Sequence, residues 1–194
     1  MEKLTKEQEI LKLLFKDFSA DFNSRSISKI IKISHAGAFK ILKKLEKREM
    51  VIPKRIGKAV IYSLNLGNQI ATKETEMIFL LESQNFKRWI EEFKDLESKV
   101  KFLVLFGSVI RNAEQANDVD ILIVADKSKL NEIKKIIKKI HKYTSKKIHP
   151  LIQTINNFKK DVNEKNKVMM EIIKTGIVLY GQEEYIKLLK SLRQ

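Results

Sequence analysis

Two short apolar runs, with a glycine-serine turn and a pair of aspartates between them, constrain the fold of this chain more than any other feature. The runs are Lys101–Phe106 (KFLVLF) and Ile121–Ala125 (ILIVA). Continuous apolar stretches of this length are typical of strands that are covered on both faces. Gly107-Ser108 follows the first run, and Asp118-Val119-Asp120 precedes the second. The sequence therefore predicts a buried sheet with a tight turn and paired carboxylates at one end.

The residues at these strand ends are of the types that bind magnesium and phosphate. Because side chains alternate along a strand, Asp118 and Asp120 project to the same face, with Cα atoms about 7 Å apart. Mg²⁺ is usually held by one or two carboxylates together with substrate phosphates, and paired ions suit the displacement of a nucleotidyl group. Gly107 lets backbone amides approach a phosphate, and Ser108 adds a hydroxyl donor at the start of a predicted helix.

Turn, spacing and carboxylates together resemble the minimal nucleotidyltransferase branch of the DNA polymerase β superfamily. That pattern is a Gly-Ser turn, often with a basic residue just after it, and then Asp-x-Asp on the next strand. It is matched here by Gly107, Ser108, Arg111, Asp118 and Asp120. The resemblance covers about residues 97–182 and implies a mixed sheet flanked by helices. It also implies a nucleoside triphosphate held by the first three residues, with the two aspartates as catalytic ligands of Mg²⁺ or Mn²⁺.

One departure from that pattern concerns catalysis. Active members of the superfamily usually carry a third carboxylate on a neighbouring strand. The matching strand is predicted at Lys147–Thr154 (KIHPLIQT), which contains no Asp or Glu. His149 or Gln153 is predicted to occupy the vacant position. A histidine could serve as a base because imidazole titrates near neutral pH, but a lone histidine before a proline is more often structural.

The first 66 residues have the pattern of a winged helix-turn-helix domain. Helices are predicted at Leu4–Phe18, Ile27–Ile33 and His35–Arg48, the last capped by Ser34, and two strands are predicted within Val51–Leu66. The strands join around Arg55-Ile56-Gly57-Lys58, a basic wing. This order resembles the winged-helix domains of bacterial and archaeal transcription regulators. Glu49 stands where such domains usually have glycine.

The charge of the chain indicates a polyanionic partner. Lys and Arg number 39 against 24 Asp and Glu, a net charge of +15, and residues 24–62 alone contain eleven bases and two acids. Because recognition helices insert their N-terminal end into the major groove, we predict contacts to double-stranded DNA from seven residues: His35, Ala36, Gly37, Lys40, Lys43, Arg55 and Lys58. His35 is the best candidate for a base contact. The alternatives are a protein-binding winged helix and a merely solvated lysine face.

The predicted fold class is α+β, in three segments. Residues 1–66 form the winged helix-turn-helix domain, 67–96 a helical connector, and 97–194 the nucleotidyltransferase-like domain with its mixed sheet. The connector is predicted as two helices interrupted near Ser83-Gln84-Asn85. Its apolar residues, Ile70, Met77, Leu80, Leu81, Phe86, Trp89, Ile90 and Phe93, form either a core or a homodimer interface.

Another predicted helix, near residues 130–142, is strongly basic on one side. Leu130, Ile133, Ile137 and Ile140 form its apolar face. The opposite face carries Lys134, Lys135, Lys138, Lys139 and Lys142. Such a face either binds RNA or DNA or is simply solvated.

The composition excludes several classes of protein. The absence of cysteine excludes disulfide frameworks, thiolate metal sites and cysteine nucleophiles. The first residues, MEKLTKEQEILKLL, include acids and are not typical of a signal peptide, and no apolar run is long enough to span a bilayer. We therefore expect a soluble, cytoplasmic protein without a membrane partner.

Three functions fit these features. The first is a DNA-binding protein that transfers a nucleoside monophosphate to a protein or small molecule. The second is a transcription regulator whose weak or inactive transferase domain senses a nucleotide or binds a partner protein. The third is an RNA-modifying nucleotidyltransferase. The lack of an obvious aromatic platform for stacking bases argues against this function. The resemblance to minimal nucleotidyltransferases adds a HEPN-domain protein as a partner, in a toxin–antitoxin pair.

Overall fold

In the computed structural model, which describes residues 3–113 and 115–193, the chain divides into two compact units. Unit 1 is Met1–Leu81 and unit 2 is Glu82–Gln194. Unit 1 contains helices and a two-stranded sheet, and unit 2 contains a four-stranded mixed sheet flanked by helices. The predicted α+β class is confirmed. The boundary between the units falls inside the segment 67–96 that the sequence predicts as a connector.

Unit 1 has the helix order and hairpin of a winged helix-turn-helix domain. Its elements are α1 (Lys6–Lys16), α2 (Ser24–Ile31), α3 (His35–Lys47), β1 (Val51–Ile56), β2 (Ala59–Leu64) and α4 (Gln69–Ser83), which continues two residues past the unit boundary. Side-chain caps fix the helix starts, because Thr5, Asn23 and Ser34 each accept a backbone N–H of the first turn. The apolar residues Ala38, Leu42 and Leu45 of α3, three or four positions apart, are all buried.

Two details of the first helices differ from the sequence prediction. In α1 the buried aromatic residue is Phe15, and Phe18 lies beyond the end of the helix. α2 begins at Ser24 rather than at Ile27, because the Asn23 side chain accepts the backbone N–H groups of Arg25 and Ser26. The first turn of α2 is polar, so a search for apolar periodicity starts too late.

The hairpin is short and exposed. β1 and β2 pair antiparallel from Val51↔Leu64 to Ile56↔Ala59, and the two-residue turn has Gly57 at φ +58°. The backbone of Glu49, just after α3, also has a left-handed conformation, with φ +56°. Its N–H donates to the Glu46 carbonyl, as in many helix ends that use glycine. This conformation explains why winged-helix domains usually have glycine at that position.

The helix α4 completes the core of unit 1. Its Phe79 ring packs edge-on against Phe15, with centroids 5.2 Å apart. The same helix leaves Ile70, Met77 and Leu80 exposed. The apolar residues of segment 67–96 therefore do not all belong to a core. Trp89 and Phe93 are buried, which confirms a core role for these two residues in unit 2.

Unit 2 alternates strands and helices. The elements are a 3₁₀ turn (Gln84–Phe86), α5 (Lys87–Glu92), a second 3₁₀ segment (Lys94–Lys99), β3 (Phe102–Phe106), α6 (Ser108–Arg111), β4 (Asp118–Val124), a third 3₁₀ turn (Lys127–Lys129), α7 (Leu130–Ile140), β5 (Lys147–Gln153), α8 (Ile155–Asn163), α9 (Lys167–Thr175), β6 (Ile177–Tyr180) and α10 (Gln182–Ser191). Both predicted motif strands and the predicted strand at 147 are present.

The sheet of unit 2 has the order β5-β4-β3-β6. β4 and β5 are parallel, and β3 is antiparallel to both of its neighbours. Ile121 and Ile123 of β4 join the core cluster that contains Ile133 and Ile137 of α7. Because α7 connects two parallel strands, it runs back along the sheet, so its C-terminal end lies where β4 and β5 begin.

The opposite face of the sheet is covered by the C-terminal helices. Phe102 of β3 packs edge-on against Phe158 of α8 and Tyr185 of α10, with ring centroids 5.1 Å apart in both pairs. Within residues 3–113 and 115–193, no helix combines the length and the apolarity needed to cross a membrane.

Candidate functional site

A glycine turn at the end of β3 is packed directly against a carboxylate. Gly107 has φ +81° and ψ −154°, a conformation that side chains oppose. A Cβ placed on Gly107 would lie 2.1 Å from Oδ2 of Asp120. Phe106 and Asp120 are register partners across β3 and β4, which brings the turn beside the carboxylate. Only glycine fits this position without moving the turn or the aspartate.

The two aspartates begin β4 on the same face of the sheet. Asp118 and Asp120 are half-buried, and Val119 between them is fully buried on the other face. The side chain of Asp120 is 29% exposed. The short helix α6 starts at Ser108, directly after the glycine turn. The predicted turn, hydroxyl and paired carboxylates are therefore adjacent in the fold.

The neighbouring strand β5 places a histidine beside Asp120. His149 is the register partner of Asp120, and its Nδ1 lies 3.7 Å from Oδ1 of the aspartate. That distance is too long for a hydrogen bond, and the His149 side chain is 44% exposed. Gln153 lies opposite Val124, where its Nε2 donates to Oδ2 of Asp161 at 2.6 Å. Of the two residues named from the sequence, His149 is the one that stands beside the aspartates.

Two cavities open next to the glycine turn. The larger, of about 480 Å³, is lined by Phe106, Gly107, Ile110, Arg111, Lys167, Val168, Glu171, Ile172 and Thr175. The other, of about 330 Å³, is lined by Ser108, Arg111, Asn112, Gln115, Ala116, Asn117 and Asp118. Arg111 lines both, so it can reach an anion in either cavity. Gly107 lines the larger cavity, Ser108 and Asp118 line the smaller, and Arg111 is the residue that the two linings share.

The third helix of unit 1, α3, presents most of the residues predicted to contact DNA to solvent. His35, Ala36, Lys40 and Lys43 are exposed, and Gly37 is half-buried. His35 Nε2 lies 2.9 Å from Oγ of Ser24, so its ring is oriented by α2. Lys43 donates to Glu46 at 2.9 Å, and this hydrogen bond raises the pKa of Lys43. Lys40 is therefore the freer cation of the two.

The wing adds an exposed basic loop. Arg55 and Lys58 are both exposed on either side of Gly57, and no ring or backbone atom would contact a Cβ at that glycine. Lys54 is exposed on the same strand as Arg55. By contrast, Lys44 of α3 is paired with Glu7, at 2.6 Å. The outer face of α3 and the wing therefore both carry accessible positive charge, and Arg25, Lys29 and Lys32, on and just after α2, add further exposed cations.

The family comparison assigns unit 2. The family model described as "Polymerase beta, Nucleotidyltransferase" matches residues 88–185, half of the chain. The chain belongs to this family. The matched segment begins in α5 and ends in α10, so it contains the glycine turn, both aspartates and β5. The resemblance carried by the Gly-Ser and Asp-x-Asp motifs is thus confirmed at the level of the family.

Solved structures give weaker similarities. A cysteine-to-serine mutant of ZitR from Lactococcus lactis is 21% identical over 59% of this chain and 70% of that chain, with a TM-score of 0.37. A second structure, of the same mutant in complex with DNA, is 24% identical, covers 50% of this chain and 66% of that chain, and has a TM-score of 0.36. The adhesin competence repressor AdcR from Streptococcus pyogenes is 12% identical over 73% and 82%, with a TM-score of 0.37. Scores of this size do not establish a shared fold. No curated protein sequence matches the chain.

In this member of the family, the two aspartates fit a metal ion that is shared with a ligand. Mg²⁺ is commonly held by one or two carboxylates together with substrate phosphates, and Asp118 and Asp120 supply two accessible carboxylates on one face. Among residues 3–113 and 115–193, no group of three or more His, Cys, Asp or Glu side chains is arranged to hold a metal ion. Phosphate oxygens would therefore have to complete the coordination.

Sequence reasoning missed the contribution of α9 to the site. Lys167, Glu171 and Thr175 line the larger cavity from a helix that begins sixty residues after Gly107 in the sequence. Their spacing of four residues places them on one face of α9. No motif marks them, since a lysine, a glutamate and a threonine at helical spacing are common on any surface.

Proposed function

We propose that this chain is a DNA-binding nucleotidyltransferase. Unit 2 binds a nucleoside triphosphate with Mg²⁺ or Mn²⁺ and transfers its nucleoside monophosphate to a hydroxyl of a protein or small-molecule acceptor. The acceptor oxygen bonds to the α-phosphorus, the bond from that phosphorus to the bridging oxygen breaks, and pyrophosphate leaves. Unit 1 binds double-stranded DNA. The observation that carries the proposal is the packing of Gly107 against the Asp120 carboxylate within the segment that defines the family.

The residues around the turn have complementary roles in this proposal. Gly107 lets the Asp120 carboxylate lie directly against the turn. Ser108, at the start of α6, donates a hydroxyl hydrogen bond to the phosphate oxygens. Arg111 of α6 and Lys167 of α9 both line the larger cavity and balance phosphate charge there. That cavity, about 480 Å³, has the volume of a typical small-molecule site and accommodates the nucleoside.

Asp118 and Asp120 would hold the metal ion, which would supply neutralisation of phosphate charge and a more electrophilic α-phosphorus. His149, beside Asp120, stands where it can accept a proton from an acceptor hydroxyl. This role replaces the third carboxylate that β5 lacks.

DNA binding is supported by the exposed charge of unit 1. Lys40, Lys43, Arg55 and Lys58 lie on α3 and the wing and contact phosphates, while His35, Ala36 and Gly37 approach base edges at the start of α3. The affinity of such an interface depends strongly on salt, because phosphate contacts release counterions.

A second candidate is a regulator that binds nucleotide without transferring it. It is favoured by one observation, the absence of any Asp or Glu from β5. In this version the bound nucleotide or a partner protein controls unit 1. A HEPN-domain protein is the proposed partner in both versions, as the acceptor in the first and as the bound protein in the second.

Calorimetry with each of the four ribonucleoside triphosphates, with and without MgCl₂, tests the binding step. We expect binding of at least one triphosphate only when the divalent ion is present, because carboxylates and phosphates repel each other without it. Incubation with the α-³²P-labelled triphosphate and a candidate acceptor then tests transfer. Binding with label incorporation supports the transferase, and binding without it supports the nucleotide sensor. Metal-independent binding, or none, contradicts both.

A further inference from the structure

The outer face of α7 and the turn after it form a surface that the proposed function does not use. We infer that this surface binds single-stranded nucleic acid, through a row of lysines that ends at an exposed tyrosine. We name it the α7 surface and define it by Lys134, Lys135, Lys138, Lys142 and Tyr143. It belongs entirely to unit 2 and goes beyond both the triphosphate site and the duplex interface of unit 1.

The segment that contains α7 and the turn after it carries almost only positive charge. Residues 127–147 contain nine lysines and a single acid, Glu132. Glu132 is already engaged by Lys99 at 2.7 Å and Lys129 at 3.5 Å, and the hydrogen bond from Lys99 lowers its pKa. No acid of α7 is therefore left to neutralise the lysines that follow.

The lysines themselves are exposed and unpaired. Lys134 and Lys138 lie four residues apart on one side of α7, about 6 Å along its axis, and Lys142 follows in the turn after the helix. Lys139, on the edge of the row, pairs with Asp95 at 3.3 Å. In the part of the chain that the structure describes, Lys134, Lys138 and Lys142 have no ion-pair partner. A polyanion can satisfy all three charges together.

Other surface helices of this chain show what a solvated face looks like. Three of them pair an acid with a base at helical spacing, namely Lys73–Glu76 of α4, Arg88–Glu92 of α5 and Glu184–Lys187 of α10. Such pairs stabilise a helix, whereas like charges four residues apart destabilise it. The α7 surface carries the unfavourable arrangement. A bound anion would relieve the repulsion between these lysines. A solvated face that pairs acids with bases has no such repulsion to relieve.

Tyr143 favours a single strand over other polyanions. It follows Lys142 directly, and 82% of its surface is exposed. Exposed aromatic rings beside lysines stack on unpaired bases, and acidic peptides offer no equivalent planar group. The sequence alone indicates no aromatic platform, because a single tyrosine in a lysine-rich turn does not form a recognisable aromatic pattern. Tyr143 also borders a groove that contains three acids, Glu91, Glu92 and Asp95, together with Arg88 and Lys139. The acids favour a strand that follows the lysine row rather than this groove.

The topology also places this surface near the end of the sheet that carries the aspartates. The C-terminal end of α7 lies where β4 and β5 begin, and Lys147, the first residue of β5, is the register partner of Asp118. α7 itself packs on the face opposite the two carboxylates. A bound strand can therefore reach the end of β4 without occupying the triphosphate cavities.

Fluorescence anisotropy with labelled twelve-nucleotide oligouridine and oligodeoxythymidine tests the inference on the full chain. The variant is Lys134→Ala/Lys138→Ala/Lys142→Ala, and the control Lys94→Ala/Lys160→Ala/Lys187→Ala removes the same charge elsewhere in unit 2. We expect about a tenfold or greater loss of affinity for the first triple variant at low salt, with a salt slope smaller by about 2, and little change for the control. The RNA and DNA arms show which sugar the surface prefers. Equal affinities and slopes for the two triple variants would overturn the inference.

Three further measurements assign the ligand and the unit. Tyr143→Ala should weaken binding several-fold while Tyr143→Phe retains it, because the ring supplies the stacking contact. Arg55→Ala/Lys58→Ala and Asp118→Asn/Asp120→Asn should both retain single-strand binding, so failure of the duplex or triphosphate proposal is separable from failure here. Loss of binding in either of these double variants contradicts the inference. Equal competition by polyglutamate of the same charge contradicts the assignment to nucleic acid.

Discussion

Two glycine turns of this chain share a left-handed backbone and differ completely in their surroundings. Gly57, in the wing of unit 1, has φ +58° and open space where a Cβ would lie. Gly107, at the candidate transferase site of unit 2, has φ +81° and an aspartate oxygen 2.1 Å from that point. The wing therefore needs glycine for its backbone alone, whereas the turn of unit 2 needs glycine for both backbone and space.

The same contrast extends to the two proposed functions. Unit 1 carries its charge on exposed side chains, each of which contributes a part of a salt-dependent interaction. Unit 2 depends on close contacts among a few atoms of Gly107, Asp118 and Asp120. We therefore expect graded losses from substitutions in unit 1 and all-or-none losses from substitutions in unit 2.

The largest effect is expected from Gly107→Ala. The new Cβ must displace the Asp120 carboxylate or the turn, so metal-dependent triphosphate binding should be lost, with a decrease of about 1–3 kcal/mol in the free energy of unfolding. The matched control is Gly57→Ala, which meets no neighbouring atom and should lower the unfolding free energy by only about 1 kcal/mol. Calorimetric titration and urea unfolding measure the two quantities. Normal triphosphate affinity in Gly107→Ala would contradict the role of the turn.

The wing variant Arg55→Ala/Lys58→Ala should have the next largest effect. Loss of two phosphate contacts should weaken duplex DNA binding about tenfold at low salt and reduce the salt slope by about 2, irrespective of sequence. Lys94→Ala/Lys187→Ala changes the charge equally in unit 2 and should leave duplex affinity near that of the unsubstituted chain. Anisotropy across a salt series distinguishes the two. Equal slopes for the two variants would remove the wing from the interface.

Within α3, the two predicted lysines should differ. Lys40→Ala should weaken duplex binding several-fold, whereas Lys43→Ala should weaken it less, because Lys43 is held by Glu46 at 2.9 Å. Glu46→Gln releases Lys43 and should strengthen binding slightly. The same anisotropy assay orders the three variants. A larger loss from Lys43→Ala than from Lys40→Ala would show that the pairing does not restrict Lys43.

The smallest effect is expected at Glu49. Glu49→Gly keeps the left-handed turn after α3 and removes the Cβ that opposes it, so the free energy of unfolding should rise by about 0.5–1 kcal/mol. Urea unfolding of this variant and of Glu49→Ala provides the measurement, with Glu49→Ala expected to show no gain. Destabilisation by glycine would indicate that the Glu49 side chain makes a contribution larger than the backbone strain.

The sequence predicts the elements of this fold better than it predicts their partners. The apolar runs before Gly107 and after Asp118 are strands as expected, because residues buried on both faces leave a continuous apolar pattern. α2 starts three residues earlier than predicted, because its first turn is polar and only the Asn23 cap marks it. Local signals thus fix helices and strands, except where a cap replaces apolar periodicity.

The site was predictable only where its residues are close in sequence. Gly107, Ser108, Arg111, Asp118 and Asp120 lie within fourteen residues and were named together. The register of β5 was needed to separate His149 from Gln153, since both lie on the same strand and only pairing decides which one meets Asp120. Lys167 and Glu171 reach the cavity through tertiary packing of α9, which no local pattern encodes.

Titration of Asp118→Asn/Asp120→Asn with the triphosphate and MgCl₂ tests the central claim most directly. This double substitution keeps the size of both side chains and removes their charge, so the fold should be retained and its stability unchanged or improved. We predict that metal-dependent triphosphate binding disappears in this variant, while duplex DNA binding through unit 1 is unchanged. Triphosphate affinity equal to that of the unsubstituted chain, with the same dependence on Mg²⁺, would contradict the assignment of the site.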